Sequence, residues 1–345
     1  MYFTNPILPT HSADPWIVQH DGFYYYCEAG AENLSIHIRK AKDIFSLRDA
    51  EPVCVWRAPK TGPYSHAVWA PELHWIAGSW FIYFAADDGA NANHRMWVLQ
   101  GATADAQGQY CLHGSLETEG WAIDGTLLED GDKLYFVWSG WPGNCDGQQN
   151  LYIAPMKNPW TLAAGRTLLT VPDQSWERVE MPICEGPQIL RRNGNTFIVY
   201  SASGSWCEDY CLGMLVNTDG DFLNPAAWQK VGPVFQKTES LWGLGHCSFV
   251  KSPCGGQDWI LYHSKSEKKH GWIDRDVHAQ PFSWSERGYP SFGTPVGRGV
   301  QIRTWRNLPE LSSNGNILPA TPGLLNSVRT EKPALVVTAT TPAQN

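Results

Sequence analysis

The chain is poor in charge and lacks several patterns that would direct it to other fates. Asp, Glu, Lys and Arg make up only 17% of its 345 residues, with a formal net charge of −8. That balance argues against nucleic acid or an anionic membrane as partner, because phosphate binding needs clustered Lys and Arg. The one basic cluster, Lys265 to Lys269, reads as a solvated loop. No apolar run approaches the roughly 20 residues of a membrane span. The N-terminus shows no basic region followed by an apolar one, so no signal peptide is expected. There are nine cysteines but no Cys-x-x-Cys pairs, so a structural zinc site is not expected. An odd number leaves at least one thiol unpaired or paired between chains. Cys207 and Cys211 are compatible with a tight bridge or with two reduced thiols. Helical periodicity is nearly absent.

What is abundant is tryptophan, at 18 residues. Large rings dominate apolar burial, and core packing is expected to take about two thirds of them. Sugar-binding clefts use flat rings of this kind to stack on furanose or pyranose faces. Hydrophobic residues make up 43% of the chain, enough for a large core.

A repeat organises the chain. Five segments begin with a polar, ionisable head: Asp14, Glu72, Asp124, Glu185 and His246. A short strand is expected after each head, then a Gly-containing turn, then a strand rich in aromatic and β-branched residues. The turns include His20-Asp21-Gly22, Ala77-Gly78-Ser79, Asp130-Gly131-Asp132, Asn193-Gly194-Asn195 and Gly255-Gly256-Gln257. Asp-Gly and Asn-Gly supply positive φ at little cost, which marks hairpins. The heads recur every 52 to 61 residues, room for four strands per unit. The expected fold is all-β, a five-bladed β-propeller. Ring closure is expected from Asn5-Pro6-Ile7-Leu8 pairing near Val277 to Trp284. Residues 1–307 are expected to form the propeller, and the Ser-, Asn-, Pro- and Thr-rich residues 308–345 a peripheral tail.

In such a ring the heads converge near one axis. Glycosidic cleavage needs one carboxylic acid to protonate the leaving oxygen and a second carboxylate to activate water on the opposite face. A third can raise the acid's pKa by its nearby charge. Four of the heads are carboxylates, and position alone does not rank them. Asp14 and Glu185 belong to units separated by the fifth, so they would face each other across a cleft. That favours inversion, for which the carboxyl groups lie roughly 6.5–9.5 Å apart.

These residues resemble glycoside hydrolase family 43 over about residues 5–300. The likeness is carried by Asn5-Pro6-Ile7-Leu8, Ala13-Asp14-Pro15, Val68-Trp69-Ala70-Pro71-Glu72-Leu73, Ala122-Ile123-Asp124-Gly125 and Cys184-Glu185-Gly186-Pro187. It implies an inverting hydrolase with Asp14 as general base, Glu185 as general acid and Asp124 tuning and orienting Glu185. Asp87-Asp88-Gly89, Asn93-His94-Arg95-Met96 and Ser139-Gly140-Trp141 resemble the exo-acting α-L-arabinofuranosidase branch. The xylosidase branch typically opens His-Pro-Asp-Pro, where this chain has Ser12-Ala13-Asp14-Pro15.

The resemblance implies that Arg275 reaches the substrate sugar, its forked donors suiting vicinal hydroxyls or Glu185. It implies no cofactor for the chemistry, and a structural cation, commonly Ca²⁺, contacted by His246 through water. Trp16, Trp69, Trp141 and Trp206 are candidate stacking rings. Glu72 is expected to bind backbone or an arginine. Each element has a plainer reading: Asp14-Pro15 and Asp124-Gly125 are ordinary turn pairs, and a lone His is more often a core residue. Three carboxylates at matched repeat positions outweigh that reading.

The expected function is release of terminal α-L-arabinofuranose from an arabinose-containing polysaccharide or oligosaccharide, by a monomer. A β-xylosidase or endo-arabinanase on the same fold is the alternative. A non-catalytic sugar-binding propeller would lack one of Asp14, Asp124 and Glu185. A polysaccharide substrate is compatible with secretion.

Overall fold

A computed structural model describes residues 2–9 and 12–304. The expected tail at 308–345 lies outside the described residues.

Five antiparallel sheets follow one another along the chain. Their innermost strands are Trp16–His20, His66–Ile76, Ala122–Asp130, Cys184–Arg192 and Trp242–Lys251. Each packs beside the next, and the fifth returns to the first, which closes the ring. Each sheet runs outward in chain order, and the third carries an extra outer strand. The chain is a five-bladed β-propeller.

Local chemistry explains the blades. At Asn193-Gly194 both central residues have positive φ, 52° and 81°, the geometry whose twist matches the flanking strands. The fifth hairpin differs from the others. Its strands end at Lys251 and resume at Asp258, with the loop closed by Ser252 Oγ accepting the Gln257 N–H.

The apolar core is divided into five clusters, one at each blade interface. Seven tryptophans are buried, and six more pack partly against these clusters. Among the described residues this leaves Trp160, Trp206, Trp242 and Trp272 outside them.

Closure uses the expected segment. The Ile7 N–H donates to the Val277 carbonyl at 2.7 Å. The Asn5 side chain accepts from the Ala279 N–H at 2.9 Å and donates to the Ala279 carbonyl at 3.0 Å. The fourth strand of blade 5 pairs only with Ser283 and Trp284, so residues 5–8 occupy the edge it leaves bare. Outside the blades, Tyr2–Thr4 pairs with Gln301–Arg303.

The lysine cluster departs from expectation at one residue. Lys265 is fully buried, and its Nζ reaches Asp274 and the Gly271 carbonyl, each at 2.6 Å. Lys268 and Lys269 are exposed. Cys207 and Cys211 are both buried thiols, without a bridge.

Candidate active site

The five heads come together, but not as strand beginnings. Only Asp14 precedes its strand. Glu72, Asp124, Glu185 and His246 lie inside innermost strands, each beside a break in register. The bulges bring residues into left-handed backbone, with φ 54° at Asp124, 53° at Gly186 and 46° at His246, and Asp14, ahead of its strand, has φ 47° as well. A bulge re-aims side chains that a regular strand would send to alternate faces. Non-glycine residues in this region each cost of order 1–3 kcal/mol, and such strain clusters at functional sites.

Asp14 is clamped by one guanidinium and two imidazoles. Its Oδ1 accepts from Arg275 Nη1 at 3.1 Å and lies 3.3 Å from Nδ1 of both His246 and His263. Burial opposes its ionisation, but Arg275, His246 and His263 outweigh burial and hold the carboxyl well below the usual range. His263 Nδ1 also lies 3.3 Å from the Asp14 backbone N–H. One tautomer accepts that N–H and the other donates to the carboxylate. Burial pushes the His263 ring down to about 4, so it is neutral near pH 7.

Glu185 is placed in the opposite sense. It is 6% exposed, and its Oε1 accepts from the Tyr210 hydroxyl at 2.7 Å. Burial raises its pKa, the Tyr210 hydrogen bond lowers it, and the charge on Asp14 raises it again, with the balance at about 7. Asp124 is also buried, and its Oδ2 accepts from the Gly186 N–H at 3.2 Å. Burial and the neighbouring Glu185 push it well above the usual range. The two carboxyls titrate together, because ionising one disfavours ionising the other.

His246 Nδ1 stands 3.3 Å from Asp14 and 3.9 Å from Asp124, and its backbone N–H donates to Ser201 Oγ at 2.7 Å. Burial lowers its pKa against the pull of Asp14 and Glu72. The ring is therefore a neutral neighbour of two carboxyls. Among the described residues, no group of three or more His, Cys, Asp or Glu side chains is placed to hold a metal ion. The residues here do not by themselves fit a directly bound cation.

Glu72 binds neither backbone nor an arginine. It accepts from His74 Nε2 at 3.0 Å and from Gln188 Nε2, and so ties blade 2 to blade 4. Arg275 contacts Asp14 rather than Glu185, and its Nε donates to the Trp272 carbonyl at 3.0 Å.

Three of the four expected stacking rings have packing roles. Trp16 donates its indole N–H to the Leu73 carbonyl and lies against His74. Trp69 stacks on His94 at 4.0 Å, and Trp141 on Trp121 at 4.7 Å. Trp206 alone lies outside the core clusters, where it meets Trp272 at 5.6 Å. The paired motifs of blade 2 brace each other: His94 Nδ1 lies 3.0 Å from Asp87, and Asn93 donates to both oxygens of Asp88.

Tyr210 and His263 did not emerge from the repeat. Their rings stack at 5.5 Å and 9°, so a contact of Asp14 supports the contact of Glu185. The one sequence signal is Gly245. A Cβ there would stand 2.1 Å from the Tyr210 ring, so only glycine admits it.

A ring of five blades that gathers carboxyls of unlike surroundings at its axis fits the two-carboxyl chemistry of a glycoside hydrolase. Residues 3–290 match the model of glycosyl hydrolases family 43, and the chain belongs to that family. It is 35% identical over 320 residues to "Alpha-L-arabinofuranosidase 43" of Humicola insolens, a match covering 88% of this chain and 66% of that one. It is 35% identical over 312 residues to "Extracellular exo-alpha-(1->5)-L-arabinofuranosidase" of Streptomyces avermitilis, covering 86% of this chain and 64% of that one. The chain thus spans slightly under two thirds of the length of these two relatives. Among solved structures, the alpha-L-arabinofuranosidase from Lactobacillus brevis is similar, with a TM-score of 0.82 and 37% identity, covering 86% of this chain and 98% of that one.

Proposed function

We propose that the chain is an inverting exo-acting α-L-arabinofuranosidase, releasing terminal arabinofuranose from arabinan or arabino-oligosaccharides. Asp14 is the general base, Glu185 the general acid, and Asp124 the group that orients Glu185 and shares its proton. The observation that carries this reading is the opposed environment of two carboxyls at one axis. One is clamped by Arg275 and two imidazoles; the other is buried under a single tyrosine hydroxyl, with Asp124 accepting from the N–H of the next residue, Gly186. Pairs of carboxyls pushed apart in pKa are how acid and base are assigned at one pH.

In this mechanism Glu185, protonated up to about pH 7, gives its proton to the leaving oxygen. Asp14, ionised throughout the ordinary pH range, takes a proton from the attacking water. Arg275 keeps Asp14 charged and oriented, and in this reading its remaining donors bind sugar hydroxyls. The catalytic unit is the propeller, residues 1–307, and the active species is a monomer. His246 holds a cation through water in this reading; a melting temperature raised by Ca²⁺ and lowered by a chelator would support it.

The test is a panel of aryl α-L-arabinofuranoside, aryl β-D-xyloside and linear arabinan. Arabinose released from the first and the last, one unit at a time, is expected. Faster turnover of the xyloside, or release of internal oligosaccharides from arabinan, would replace this reading by a xylosidase or an endo-arabinanase. Saturable sugar binding without turnover would favour a non-catalytic propeller.

A further inference from the structure

Beyond the buried acids, blade 5 carries aromatic surface that packing leaves open. The segment 266–274 joins strands Asp258–Lys265 and Arg275–Trp284. Near its end stand Trp272, 52% exposed, and Ile273, 78% exposed. Among the described residues, only four tryptophans lie outside the core clusters, and Trp272 is the most exposed of them.

This exposure is not slack chain. Buried Lys265 holds the segment through Asp274 and the Gly271 carbonyl. The Gly271 N–H donates to the Trp206 carbonyl at 3.0 Å. The Trp272 indole N–H donates to Ser205 Oγ at 3.1 Å, and the Trp206 ring meets it at 71°. The ring is fixed in place while much of its surface stays in water, a costly arrangement that packing does not require. The Trp272 backbone carbonyl holds Arg275, and Arg275 holds Asp14, so the backbone that carries the ring stands two hydrogen bonds from the base.

We propose that Trp272, braced by Trp206, is a stacking platform for the sugar on the leaving-group side of the scissile bond. The ligand class is a neutral pentose unit of an α-linked arabino-oligosaccharide. The proposal rests on the arabinofuranosidase reading. In that reading the terminal sugar fills the buried end beside Glu185 and Asp124, and the rest of the chain leaves past exposed surface. Charges around the platform are already matched: Lys237 pairs with Glu208 and Asp209, and His270 lies 3.5 Å from Glu180. A charged ligand would have to break these pairs, whereas a sugar face needs only the ring.

The test compares arabinotriose with methyl α-L-arabinofuranoside, whose aglycone is too small to reach the platform. In Trp272→Ala, the ratio of kcat/KM on the trisaccharide to that on the methyl glycoside is expected to fall about tenfold, mainly through KM. Trp272→Phe is expected to restore most of the ratio. A ratio unchanged in Trp272→Ala, or both substrates slowed in parallel, would overturn the platform and leave Trp272 a brace for Arg275. If the wild-type protein cleaves neither substrate, the arabinofuranosidase reading itself fails, and the ligand assigned to the platform fails with it.

Discussion

At the scale of single residues, the site works by giving like groups unlike surroundings. Removing either carboxyl tests the division directly. Glu185→Ala and Asp14→Ala are each expected to slow turnover of arabino-oligosaccharide by about 10²–10⁴-fold with the fold intact. Aryl arabinofuranosides, whose leaving groups need little protonation, should partly rescue Glu185→Ala but not Asp14→Ala. Equal rescue of both would reverse or remove the assignment. Tyr210 gives a subtler check. Its hydroxyl stabilises the ionised form of Glu185, so Tyr210→Phe should raise the Glu185 pKa. The acid must be protonated to act, so the alkaline limb of kcat/KM, expected near pH 7, should move to higher pH. A limb that stays in place would detach Glu185 from it. The convergence of the heads was legible because they occupy repeated positions, whereas the proposed roles of Asp14 and Glu185 come from the family resemblance. Tyr210 and His263 were not, because each acts through a neighbour that only the folded ring supplies. Arg275 was singled out by the family resemblance, but its partner was not, since Asp14 lies 261 positions away.

At the scale of elements, turns and bulges divide the work. The hairpin turns were legible because Asn-Gly and Asp-Gly announce their own backbone geometry. The bulges were not. Nothing in Ile123-Asp124-Gly125-Thr126 states that pairing skips from Ile123 to Thr126, because the skip is set by what the strand meets at the axis. Blade 4 holds a second buried carboxylate that the repeat does not reveal. Glu177 is fully buried and accepts from Tyr200, Lys230 and the backbone N–H groups of Asp173 and Gln174. Breaking a buried pair on one side strands the other charge. Lys230→Met is expected to lower stability by about 3–5 kcal/mol, measured by urea unfolding. Adding Glu177→Gln to that variant should recover part of the loss. A loss below about 1 kcal/mol would class the pair with ordinary surface bridges.

At the scale of the whole molecule, the ring depends on a few residues far apart in sequence. Blade number and order were legible from the period of the heads. The closing segment was legible as well, although its geometry was not: it fills the edge left by a two-residue fourth strand. Asn5 imitates a strand residue there, bonding both backbone groups of Ala279. Asn5→Ala would leave buried partners unmet, and a loss of about 1–3 kcal/mol in chemical denaturation is expected. No change would mean that apolar packing of Ile7 and Leu8 closes the ring unaided.

The central claim is that water attacks from the Asp14 side while Glu185 protonates from the other. Early-time proton NMR of the wild-type protein acting on α-1,5-linked arabinobiose tests it most directly. The account predicts that β-arabinofuranose appears first and then mutarotates. Initial release of the α-anomer would contradict it.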